Sequence, residues 1–200
     1  MNYIDLFRRE IVEDVAQGTL KPDEKETIYS PDRRYYFEAT PIQSAVPNLN
    51  WSALQIEIFD STTTERIGRF IRNEDVYSYY WLDLPQSRYL FLSEDYMGES
   101  VFDLNQKRLY GYAINHKEEE GFIWTEFIPS PDKSKIAIIG CYWGSDYGVI
   151  VYDLKALPSL PLPRLLEFTP LKRDNVSWLT DSKLKFYNES SHEERVISFE

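Results

Sequence analysis

The chain has 200 residues and a formal charge of −11, from 33 acidic against 22 basic side chains, a balance that argues against nucleic acid or an anionic membrane surface as partner. One cysteine, Cys141, excludes an internal disulfide and a cysteine-based metal cluster, and no apolar run has the look of a signal peptide or the length of a membrane span. Aromatics are 16% of the residues, which favours strands over helices; the expectation is one soluble, cytoplasmic, all-β domain with no cofactor and no metal.

In chain order, residues 3–17 predict the one helix. Ile4, Phe7, Ile11 and Val15 recur at helical spacing, Asn2 suits the N-cap, and Gly18 followed by Pro22 supplies the stop. Its apolar stripe docks on its own domain or, as the other reading, on a partner.

Strands are expected after residue 25. Thr27 to Asp32 matches Phe127 to Asp132, with the same Ser-Pro-Asp turn after the same kind of strand. Tyr35 to Phe37 and Leu54 to Asp60 complete a first unit. Tyr80 to Gln86, Tyr89 to Leu92, a loop from Ser93 to Glu99 and then Ser100 to Leu104 make a second. The third is the clearest. After the Ser130-Pro131-Asp132-Lys133 turn, Ile136 to Ile139 is a β-branched run, Gly140, Gly144, Ser145, Asp146 and Gly148 mark a loop, and Val149 to Tyr152 is a second run. Fourth strands are expected at Arg66 to Ile71, Arg108 to Ala113 and Arg164 to Phe168, while the last unit, Val176 to Glu200, ends without one. The pairs Phe59-Asp60, Phe102-Asp103, Tyr152-Asp153 and Phe199-Glu200 recur at roughly 43 to 50 residues, a blade-like period.

A Ser-Pro-Asp turn, an apolar strand, a glycine-rich loop and a strand ending Val-Tyr-Asp-Leu resembles the TolB-like β-propeller repeat, a relative of the WD-repeat blade. Residues 125–154 carry the resemblance best and 27–60 next. It implies a binding platform and assigns no catalytic residue. The expected fold is therefore all-β: a small four-unit propeller-like ring or an open stack of antiparallel meanders, with units at about 27–71, 79–113, 125–168 and 176–200, plus the N-terminal helix.

Such a unit puts its first and third turns at one end and its middle loop at the other. The turn end then collects Arg33, Arg34, Arg88, Lys107, Arg108, Lys133, Lys135, Lys155 and Lys183. The loop end collects acids and aromatics, from which Trp51, Glu94, Asp95, Tyr96, Tyr142, Trp143, Asp146 and Tyr147 are nominated as a partner-binding set. Aromatics among glycines make rigid contact surfaces, and acids attract a basic protein or peptide at a rate that falls with salt. Against this stand bland readings: turn charges that only solubilise, Tyr142 or Trp143 as a plug between units, and Cys141 as a small buried filler. No Gly-x-Ser-x-Gly, phosphate-loop or His-Glu-x-x-His motif is present. The enzymatic alternative is a hydrolase of a small or sugar-like substrate using Asp95, Asp146 and His116.

Overall fold

The computed structural model describes residues 17–44, 53–73, 78–95, 98–113, 121–142, 144–168, 175–188 and 191–199. The expected helix over residues 3–17 lies outside them, apart from its last residue, Gln17, which stands in a turn before the first strand. Within the described residues the fold is all-β, in four antiparallel sheets.

The first sheet contains β1 (Thr19–Leu20), β2 (Glu26–Tyr29), β3 (Tyr35–Gln43), β4 (Ala53–Asp60) and β5 (Arg66–Asn73). β1 and β2 both pair with β3, and β4 and β5 follow in order. Strands thus begin before residue 25, and Pro22 opens a short 3-10 turn instead of following a helix stop. The second sheet is β6 (Tyr79–Asp83), β7 (Arg88–Asp95), β8 (Gly98–Asp103) and β9 (Arg108–Ala113). The third is β10 (Phe122–Pro129), β11 (Lys135–Tyr142), β12 (Gly148–Asp153) and β13 (Arg164–Phe168). The fourth has three strands, β14 (Ser177–Thr180), β15 (Lys183–Asn188) and β16 (Glu193–Ser198).

Two boundaries differ from expectation. Ser93 to Asp95 and Gly98 to Glu99 belong to β7 and β8, not to a loop. Gly140 and Gly148 pair with each other inside the ladder of β11 and β12. Both glycines punctuate the sequence, but β10 continues back to Phe122 and holds Gly140 opposite Trp124.

Alternation along each strand assigns one face to the preceding sheet and the other to the next. On β7, Leu90 and Leu92 join Phe37, Ile56 and Ile58 of the first sheet. Tyr89 and Phe91 point the other way, against Trp124, Ile136, Ile138 and Tyr152 of the third. On β11 and β12, Ala137, Ile139, Val149 and Val151 turn from the second sheet to meet Leu184 and Phe186 of the fourth. The middle sheets are buried on both faces, so their strands read as continuous apolar runs; β15, buried on one face only, alternates. The three clusters join successive sheets, and among the described residues none joins the fourth sheet to the first.

The repeated turns have one physical basis. Ser30 and Ser130 are buried, each donating its hydroxyl to the Asp two residues on, at 2.8 and 2.7 Å. The same hydroxyls accept the amides of Tyr35 and Lys135 at 3.0 Å, closing the strand ends. Arg33 and Lys133 take φ of 58° and 57° as each chain reverses. In the first three sheets the acid after the third-strand aromatic also caps a turn: Asp60 accepts the Thr62 amide at 2.8 Å, Asp103 those of Asn105 and Gln106 at 2.9 Å, and Asp153 that of Lys155 at 2.9 Å.

Candidate functional site

Contacts between neighbouring turns align the four units. Arg88 at the start of β7 bonds Asp32 of the first sheet's turn at 2.6 Å and Asp83 at 2.9 Å. Lys107, after β8, reaches Glu65, after β4, at 2.8 Å. Lys133 donates to the Asp83 carbonyl at 2.8 Å, and the Asp132 amide donates to Asp181 at 2.8 Å. These contacts bring the first turns of the four sheets, and the third turns of the first two, together at one end.

The turn end carries a groove of about 850 Å³ walled by Arg34, Asp60, Asp83, Arg88, Lys107 and Lys133. A neighbouring hollow of about 260 Å³ is walled by Asp32, Tyr35, Tyr80, Trp81, Arg88 and Tyr89. Sorting the basic residues of this end foresaw the cations but not the acids opposite them. Asp32, Asp60, Asp83, Asp132 and Asp181 stand among those cations because each turn needs a carboxylate to cap amides or tie its neighbour. The turn end is consequently a mixed-charge seam that holds the sheets together.

Burial alone would raise the Asp32 and Asp132 carboxyls. Donors override it: the Ser30 hydroxyl, the Arg34 amide and Arg88 hold Asp32 below the usual range, and the Ser134 amide with the Ser130 and Ser134 hydroxyls does so for Asp132. A depressed carboxyl stabilises the fold fully above its ordinary value, 3.8, and loses that contribution as pH falls through the lower folded value. Asp132→Asn should therefore weaken the protein at neutral pH and flatten its loss of stability below about pH 4. Urea unfolding midpoints across that range are the measurement; an unchanged acid slope would assign the effect to another group.

At the loop end, three nominated residues are fully described. Tyr142 closes β11, half-buried, with its ring edge-on to Phe122 at 5.3 Å. Its hydroxyl donates to Glu167 and accepts from Arg164 at 3.2 Å, and burial followed by the Glu167 contact pushes its phenol pKa up. These partners all belong to Tyr142's own sheet, on β10 and β13, not to a neighbouring one. Asp146 and Tyr147 are exposed in the loop that follows. That loop turns on Gly144, at φ 73°, and on Ser145, whose amide donates to the Tyr142 carbonyl at 2.9 Å and whose hydroxyl accepts the Tyr142 amide at 3.1 Å. Glu94 and Asp95 are placed by their backbone at the same end of the adjacent sheet. Trp51, Tyr96, Trp143 and His116 lie outside the described residues. Cys141 is half-buried on β11, less enclosed than a core filler.

Sequence reasoning missed a buried polar group between the second and third sheets. Glu99, expected in a loop, is 6% exposed and accepts the Leu162 amide at 3.1 Å. Burial raises its carboxyl pKa, against the opposing pull of the Leu162 amide, Arg164 and Tyr152. Tyr152 is fully buried, and burial first and Glu99 second raise its phenol. An acid at the start of a strand carries no local sign of this; only the packing of one sheet on the next encloses it.

Comparison with known protein families and with curated proteins finds no match for this chain. No helix among the described residues is long and apolar enough to cross a membrane.

Proposed function

We propose that the protein is a non-catalytic binding module, a propeller-like open stack of four meanders acting in the cytoplasm, whose loop end receives a basic protein or peptide. The observation that carries this reading is the charge accounting at the turn end. Three of the nine turn-end cations, Arg88, Lys107 and Lys133, are tied to Asp32, Glu65, Asp83 and the Asp83 carbonyl, and the chain as a whole carries a net charge of −11. Asp146 and Tyr147 are exposed at the opposite end, beside the strand end that carries Glu94 and Asp95.

The test is co-purification from native lysate at low and high salt, using the parent chain and a variant with Glu94, Asp95 and Asp146 each replaced by Lys. A specific partner should be held at low salt and released by salt and by the triple reversal. Capture indifferent to both would remove this reading. A measured turnover of small glycosides that is abolished by Asp146→Asn would favour the hydrolase instead.

A further inference from the structure

Among the described cations that wall the turn-end groove, Arg34 alone bridges no pair of sheets. Arg88, Lys107 and Lys133 each reach a neighbouring turn. The Arg34 guanidinium lines the same groove and makes no hydrogen bond or ion pair among the described residues. It rests over the Tyr35 ring, 5.3 Å from the centroid. A ring face steadies a guanidinium without using any of its N–H donors. The fork is therefore positioned while its hydrogen bonds stay unspent.

The acids of the groove are engaged elsewhere. Asp60 feels the Arg34 charge, but its Oδ1 accepts both the amide and the hydroxyl of Thr62, which hold its carboxyl below the usual range before Arg34 adds to the effect. Asp83 Oδ1 is bonded to Arg88 of its own sheet at 2.9 Å, and Asp132 Oδ1 accepts the Ser134 amide of its own turn at 3.0 Å. Other donors in the groove have capacity left. The Asn105 side-chain amide lines it without a hydrogen bond among the described residues, and the Lys133 ammonium keeps N–H groups beyond the one given to the Asp83 carbonyl. The volume of about 850 Å³ falls within the roughly 300–1,000 Å³ of small-molecule sites.

We propose that this groove binds a small oxyanion, a carboxylate or a phosphate group, held by the Arg34 fork with the Asn105 amide and the Lys133 ammonium. A planar fork grips two oxygens of such a group at once, which a point charge does not. Asp60, Asp83 and Asp132 on the walls repel a highly charged polyanion, so the ligand is small and of low charge. This site shares no residue with the loop end, and neither reading depends on the other.

The probes are sodium acetate and inorganic phosphate, each titrated against the whole chain at constant ionic strength. NMR follows the Arg34 Nε–H and the Asn105 side-chain amide, which should shift and saturate. Tighter binding of acetate assigns the ligand to carboxylates, and tighter binding of phosphate assigns it to phosphoryl compounds. Arg34→Ala should weaken the tighter probe at least about tenfold, and Arg34→Lys, which keeps the charge but not the fork, severalfold. Arg34 is exposed and touches a ring face without bonding, so both variants should fold. Arg33→Ala removes the same charge one position away, where the guanidinium lies over Tyr29 at 5.0 Å and outside the groove, and should leave binding unchanged. Equal losses in the Arg33→Ala and Arg34→Ala variants would overturn the proposal, because overall charge would then account for the binding. So would the absence of a saturating shift with both anions.

Discussion

Gly140→Ala is expected to unfold the protein or to destabilise it by at least about 3 kcal/mol. A Cβ at this position would lie 2.0 Å from the Ile123 carbonyl oxygen and 2.7 Å from the Phe122 ring. The first obstacle is backbone, so no rotamer change relieves it; β10 would have to leave the ladder next to the irregularity between Trp124 and Glu126. Gly144→Ala is the control. Nothing lies within 4 Å of its added Cβ, and only its φ of 73° opposes the change, so the loss should be about 1 kcal/mol. Urea unfolding followed by far-UV circular dichroism measures both. Equal effects at the two glycines would mean that Gly140 is a loop residue after all.

Trp124→Ala should cost about 3–5 kcal/mol, the range for emptying a buried aromatic site. The side chain is 1% exposed, and its ring centroid lies 5.9 Å from Phe91, 5.8 Å from Phe127 and 5.9 Å from Tyr152. Its indole nitrogen donates to the Tyr152 hydroxyl at 3.4 Å. Its carbonyl accepts the Ser93 hydroxyl at 2.7 Å, tying β10 to β7 through a backbone group that the substitution keeps. The loss should therefore come from packing, and Trp124→Phe should recover a substantial part of it. Thermal and urea unfolding of the three proteins decide this; a loss below about 1 kcal/mol would place Trp124 outside the seam between the second and third sheets.

Residues 93–99 and the glycines show why some features stayed hidden in the sequence. Gly140, Gly144 and Gly148 look alike along the chain, as punctuation between two apolar runs. Gly144 does mark a turn, but Gly140 lies in the ladder because β10 crosses it too closely for a side chain. Glu99 looked like one more loop acid until the third sheet's Leu162 amide and Tyr152 enclosed it. The basic side chains at the turns were expected there, yet several of their partners came from neighbouring sheets. Arg88 and Asp32 are joined across 56 positions of sequence.

The amino-acid order by itself determined the strand type and most of the turn positions, because Ser-Pro-Asp turns, strand-closing acids and alternating apolar residues act over a few neighbouring residues. Which strand face meets which sheet and which charges are spent in the seam were decided only by the tertiary structure. Those outcomes depend on groups brought together from distant segments, and no local pattern encodes their distances.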